Sequence, residues 1–268
     1  MTSWHDKVVL ITGGSAGLGQ AIASAFAQQG AKVALVARDV AKLELAAQNI
    51  RQQGGTATPI AADIQRDEDA QSAVERTIAT YGRLDVLVNC AGRSARGKLL
   101  ETPLDEFRSL WELNFLATVR MTQVAAPHLL ASRGHVVNIA SLAAKSASRF
   151  LGGYATSKFP VAAFSQQLRL ELADEGVHVL LVCPGPIARE QNEDRYAAQS
   201  ANLPEAARRP GGGVKLKGIP PEKLAARIVR ACERREVELI MPGKARYLFA
   251  IAQLWPSLGD YLLLKFTS

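Results

Sequence analysis

The sequence predicts an α/β fold in which a single doubly wound, seven-stranded parallel sheet is covered by helices on both faces, and three observations carry that reading. Seven short β-branched runs alternate with helical stretches along the chain, the order that parallel strands joined by crossover helices require. Several runs, Val86-Leu87-Val88 and Val179-Leu180-Leu181-Val182 among them, are apolar throughout, as strands buried on both sides must be. Gly30, Gly54, Gly82 and Gly176 stand where the helical periodicity stops, a position that favours glycine.

In chain order, strands are expected at 7–12, 31–37, 56–61, 84–89, 135–140, 177–183 and 237–241. Helices are expected between and after them, at 21–29, 40–53, 67–81, 104–131, 155–175 and 221–235. Residues 191–219 are polar, contain Pro204, Pro210 and Gly211-Gly212-Gly213, and read as a mobile substrate loop. The end of the chain, 247–268, carries two apolar runs broken by Pro256, Gly259 and Asp260. Neither run approaches the roughly 20 residues that a membrane span needs. The tail is expected to pack on the domain or on another subunit, to rest in a membrane interface, or to roof a lipid-like substrate.

With 268 residues, 48% of them hydrophobic, the chain suits one core and a single domain over 1–268. Its polar start, Met1 to Lys7, has no signal-peptide pattern, so a cytoplasmic chain is expected. Three cysteines without C-x-x-C spacing point to neither a disulfide framework nor a metal site. The net charge of +7 is uneven: 205–246 holds eleven basic and five acidic residues. That surplus reads as a solvated helix face, as attraction for a phosphate-rich cofactor, or as attraction for an anionic membrane surface. Nucleic acid is not expected, because aromatics are sparse and no reading motif accompanies the charge.

The first strand runs into Gly13-Gly14-Ser15-Ala16-Gly17-Leu18-Gly19 and then a helix. Glycines there permit a tight turn and close backbone approach to a diphosphate, which the helix N-terminus would hold. The spacing, G-x-x-x-G-x-G behind Thr12, resembles that of the short-chain dehydrogenases/reductases. Further motifs of that family follow in order over nearly the whole chain: Asn89-Cys90-Ala91-Gly92, Asn114, Ser141, Tyr154-Ala155-Thr156-Ser157-Lys158 and Pro184-Gly185.

The resemblance implies a Rossmann-type domain, a nicotinamide cofactor and a small-molecule carbonyl or alcohol substrate. It gives Asn114, Ser141, Tyr154 and Lys158 catalytic roles. Cofactor contacts are expected from the glycine turn (Gly13 to Gly19), Arg38, Asp63, Ile64, Asn89, Ala91, Gly92, Tyr154, Lys158, Pro184, Gly185 and Ile187. Homodimers or homotetramers are implied through the helices holding Asn114 and Lys158.

An acid about twenty residues past the turn selects NAD, and an arginine there accommodates the 2′-phosphate of NADP. Arg38 and Asp39 are both candidates. NADP(H) is favoured over NAD(H), since Ala37 occupies the position where NAD-dependent members usually carry the acid. Asp39 is also a candidate helix cap.

Tyr154 and Lys158 are one helical turn apart and can share a face. An ammonium beside a phenol stabilises phenolate, and lowering a value near ~10 by about three units requires roughly 4 kcal/mol. Two departures from the family pattern are Cys90, where a second asparagine is usual, and Arg189, where a threonine is common. The reaction expected is hydride transfer between NADP(H) and a carbonyl or secondary alcohol, with an apolar, lipid-like or steroid-like ketone as substrate. The alternatives are a non-catalytic NADP-binding sensor on the same fold and a nucleotide-sugar epimerase; the epimerase spacing, T-G-x-x-G-x-x-G, is not present.

Overall fold

The computed structural model describes residues 4–188, 199, 203, 204 and 217–266. Arg189 and most of the expected loop 191–219 lie outside them. The strands are β1 (Val8–Thr12), β2 (Lys32–Ala37), β3 (Thr56–Ala61), β4 (Val86–Asn89), β5 (His135–Ile139), β6 (His178–Pro184) and β7 (Glu238–Met241). They form one seven-stranded sheet in the order β3-β2-β1-β4-β5-β6-β7, parallel at every pairing. The helices are α1 (Gly17–Ala27), α2 (Val40–Gln52), α3 (Asp67–Tyr81), α4 (Leu104–Trp111), α5 (Ala117–Ser132), α6 (Tyr154–Glu171), α7 (Pro221–Glu233), α8 (Ala245–Leu254) and α9 (Pro256–Phe266).

Strand side chains alternate between the two faces. Val9, Ile11, Val33, Leu35, Val86 and Val88 pack with Ile22 and Phe26 of α1, Leu43 of α2 and Leu224 and Ile228 of α7. Their neighbours Val8, Leu10, Ala34, Val36 and Leu87 pack with Ala73 and Val74 of α3 and Met121 and Leu129 of α5. Both faces are dry, which explains why these strands read as unbroken apolar runs.

Two features depart from the expected helices. The stretch 104–131 contains a π-helical turn, Glu112–Leu116, between α4 and α5. Widened turns of this kind re-aim one residue, and here that turn contains Asn114. The apolar tail forms a hairpin of two helices. Pro256 opens α9 at a position where its missing N–H costs nothing. Gly259 faces Ala252 so closely that a Cβ would lie 2.6 Å from the alanine Cα. Phe249 is buried and joins Val161, Leu181, Cys183 and Ile240.

At the amino end of the sheet, His135 and His178 on paired strands bring their Nδ1 atoms to 2.9 Å. His178 Nε2 lies 2.8 Å from the Glu236 carbonyl, which can only accept. That fixes the proton of His178 on Nε2, so His135 must donate from Nδ1. Burial pushes His135 down to about 3 and lowers His178 as well. Both rings are neutral in the folded chain. The unfolded chain takes up protons below about 6.5, so stability is fully present above that pH and falls until the folded values are reached. His135 alone removes about 2 kcal/mol by pH 5. Thermal melts at pH 7 and pH 5 should show this loss, and the double variant His135→Val/His178→Val should flatten much of the dependence; an unchanged slope in that variant would refute the assignment.

Candidate active site

Because every strand runs the same way, the residues that follow each strand gather at one edge. In a doubly wound sheet, the crevice opens where the chain winds away in both directions, here between β1 and β4. The glycine turn follows β1, Cys90 to Gly92 follow β4, Ser141 follows β5 and Gly185 follows β6.

The turn is shaped for close approach. A Cβ on Gly19 would sit 2.2 Å from the Gly13 carbonyl oxygen, so helix and turn can meet only if that residue has no side chain. Gly17 has φ +54° and faces open space. Ala16 precedes α1 without a side-chain cap, and the first turn of α1 carries no acid. These uncapped amides and the positive end of the helix suit a diphosphate, and the turn fits a dinucleotide. Ser15 is partly exposed and Leu18 is buried beneath the turn.

At the far end of this cradle, Asp39 caps α2, its side chain accepting from Lys42 N at 3.1 Å. Lys42 and the bonded amide hold its carboxyl below the usual range. Arg38 stays exposed at the end of β2, with Nη1 3.8 Å from Asp63 Oδ2. Asp63 also orders its own turn by accepting from Gln65 N, while Ile64 is buried in the core. An exposed arginine therefore stands at the end of β2 beside an aspartate that caps the next helix.

Two of the four catalytic candidates, Asn114 and Lys158, come together around Gly92. A Cβ there would meet Asn114 Oδ1 at 2.8 Å and Lys158 Nζ at 3.4 Å. Lys158 is 5% exposed and donates to the Ile139 carbonyl at 3.0 Å, two residues before Ser141. Burial pushes its amine down to about 8, against the opposing pull of Cys90 and Cys183. The amine is therefore mostly an ammonium at neutral pH and within reach of deprotonation just above it. Tyr154 opens α6 one turn earlier and packs with Ala143, Leu151 and Ala155. Ala143 belongs to the short helical turn capped by Ser141, whose Oγ accepts from Ala143 N at 3.1 Å. A phenol, a hydroxyl and a buried ammonium are groups able to exchange a proton with a carbonyl oxygen.

Two expected site residues use their side chains elsewhere. Asn89 is 3% exposed and donates to Thr122 Oγ1 at 3.1 Å and Asn138 Oδ1 at 2.9 Å, tying β4 to β5 and α5. Asn114 donates from Nδ2 to the Arg93 carbonyl and to Ser157 Oγ and accepts on Oδ1 from Arg93 N. What it offers the site beyond that is main chain. Pro184 is buried, Gly185 N donates to the Met241 carbonyl at 2.7 Å, and Ile187 bridges Ile219.

Three positioning residues were not foreseen. Thr12 Oγ1 accepts from Cys90 N at 3.0 Å and Ala91 N at 3.2 Å, fastening the loop after β4 to the end of β1. Ser157 joins the π turn to α6, and Arg93 grips Glu106 through both terminal guanidinium nitrogens at 2.7 and 2.9 Å. Their polar character was visible in the sequence, but their partners lie far along the chain.

A family model described as short chain dehydrogenase matches residues 7–200. Among curated proteins, the chain is 32% identical over 260 residues to an Arabidopsis thaliana protein named 11-beta-hydroxysteroid dehydrogenase-like 2, covering 96% of this chain and 80% of the relative. It is 30% identical to a ketoacyl reductase of Nostoc sp., covering 97% and 89% of the two chains. It is 35% identical to an L-fucose dehydrogenase of Bos taurus, covering 91% of each. A solved metagenomic short-chain oxidoreductase in complex with NADP superposes with a TM-score of 0.73 at 28% identity, covering 90% of this chain and 98% of that one.

Thr12→Val keeps the shape of the side chain and removes the acceptor for two amides. It should cost about 1–3 kcal/mol, read as a melting point lower by several degrees together with weaker cofactor binding. A variant that melts with the parent chain would show that the fastening contributes nothing.

Proposed function

The chain belongs to the short-chain dehydrogenase/reductase family and is an NAD(P)-dependent oxidoreductase; from that premise we propose that it transfers hydride between NADP(H) and a carbonyl or secondary alcohol, acting as a reductase of an apolar, lipid-like or steroid-like ketone. The observation that carries this reading is the buried Lys158 ammonium, fixed between the Ile139 carbonyl and Gly92 and one helical turn from Tyr154.

The bound nicotinamide supplies the hydride. Tyr154 gives a proton to the substrate oxygen as it becomes an alkoxide, and Ser141 donates a hydrogen bond to the same atom. Lys158 keeps the phenol acidic and bonds the cofactor ribose. Asn114, through its main chain, links the lysine to solvent. Cofactor contacts come from the turn Gly13 to Gly19, from Asp63 and Ile64, from Asn89, Ala91 and Gly92, and from Pro184, Gly185 and Ile187.

NADP is favoured because Asp39 is committed to capping α2, which leaves the charge of Arg38 at the end of β2. The solved relative in complex with NADP agrees with that preference. An apolar ketone is favoured by the apolar cluster of Ala143, Leu151 and Ala155 against which Tyr154 packs and by the names of the steroid-dehydrogenase-like and ketoacyl reductase relatives. We further read the chain as one catalytic domain over 1–268, working as a homodimer or homotetramer. Exposed Leu104, Trp111, Leu116 and Phe159 on and between α4, α5 and α6 are suited to such a contact. Three cysteines, all free, suit a reducing, cytoplasmic compartment. Among the described residues, no helix is long and apolar enough to cross a membrane.

Loss of NADPH absorbance with a panel of apolar ketones tests the reaction. Tyr154→Phe should lower kcat by about a thousandfold or more while NADPH still binds; cofactor binding with no turnover by the parent chain across the panel would instead mark a nucleotide sensor. Arg38→Asp should raise the KM for NADPH about tenfold or more and leave that for NADH nearly unchanged, and equal effects on both would remove the NADP assignment. Reduction should decline as the pH rises through about 8, where Lys158 loses its proton. A flat profile to pH 10 would exclude that role for the amine.

A further inference from the structure

We propose that the hairpin of α8 and α9 is a docking surface for an anionic lipid bilayer, lying in the interface without crossing it. The proposal rests on this surface alone and is independent of which ketone is reduced.

The hairpin has a held side and an open side. Phe249 is 8% exposed and anchors α8 in the cluster formed with Val161, Leu181 and Ile240. Tyr247 and Leu254 are seven residues apart, about two helical turns, and point away from Phe249; each is 69% exposed. At the bend and on α9, Trp255 is 60% exposed, Leu258 45% and Tyr261 60%. Leu258 and Tyr261 share one stripe of α9, while the Gly259 side of that helix is closed against Ala252. Large apolar side chains grouped in this way are rarely left to water.

Its composition selects a lipid surface over a second copy of the chain. Tyrosine and tryptophan carry an apolar ring with one polar atom, and they concentrate where hydrocarbon meets headgroups. Lys244, Arg246 and Lys265 are exposed around these side chains, and Asp260 is the only acid between 244 and 266. A twofold contact across the hairpin would set those cations against their own counterparts. Anionic headgroups would neutralise them. Helices of 10 and 11 residues extend about 15 Å each, half of a hydrocarbon core of about 30 Å. They are long enough to lie flat and too short to span.

The test is cosedimentation of the full chain with vesicles of phosphatidylcholine and phosphatidylserine at about three to one, against phosphatidylcholine alone, with light scattering to report oligomeric state. Binding is expected on the anionic vesicles and should weaken in roughly 0.5 M salt. Leu254→Ser/Trp255→Ser should reduce it about tenfold or more. Lys244→Glu/Arg246→Glu should do so without touching the apolar stripe, and both variants should bind NADPH like the parent chain. Failure to bind either vesicle, or equal binding to both, overturns the proposal. So does an oligomer that Trp255→Ser dissociates in a chain that ignores vesicles, a result that would give the surface to a second copy.

Discussion

All seven strands point the same way, and the chemistry depends on that. A parallel sheet places the carboxyl end of each strand on one edge, so residues as far apart as Thr12, Asn89, Ser141 and Gly185 become neighbours there. Parallel strands need crossover helices, and those helices leave both faces dry. A buried ammonium can then be kept at the edge of a low-dielectric core, supported by one carbonyl and shielded from bulk water. Reversing a central strand would carry its terminal residues to the opposite edge, where the histidine pair lies.

Packing at that edge leaves little tolerance. Gly19 lies against Gly13, Gly92 against Asn114 and Lys158, and Thr12 against two amides of the β4 loop. Each contact joins segments from different parts of the chain. The π turn serves the same purpose: it breaks the regular helix after α4, and the Asn114 side chain holds Arg93 and Ser157 together. The asparagine acts as a clamp between two elements, which explains why a neutral amide is completely buried beside a cation.

The opposite ends of the molecule have different electrostatic settings. The amino edge of the sheet is closed, with neutral histidines bonded to each other and Asp85 held by Lys7 and Arg83. The carboxyl edge carries exposed Arg38, the amides of α1 and Lys158, a field suited to a polyanion. Beyond β7, the α8–α9 hairpin turns an apolar, basic surface outward.

The arrangement of strands and helices was legible in the sequence because burial on two faces, helix periodicity and terminal glycines are local properties. The glycine turn after β1 and the one-turn spacing of Tyr154 and Lys158 were legible for the same reason, since their geometry is set within a few residues. Whether Asp39 would cap α2 or face a ribose could not be read from the residue, because both roles suit an aspartate. The structure decided it through the bond to Lys42 N. Likewise, the helical pattern of 104–131 hid the π turn, and the breakers in the tail concealed a helical hairpin. Asn89, Asn114, Thr12 and Arg93 find partners up to 79 residues away. Hydrogen bonds over such separations follow from how elements pack, so the sequence by itself determined which elements form and which chemistry they carry, and only tertiary structure decided which polar side chains hold the site together and which face it.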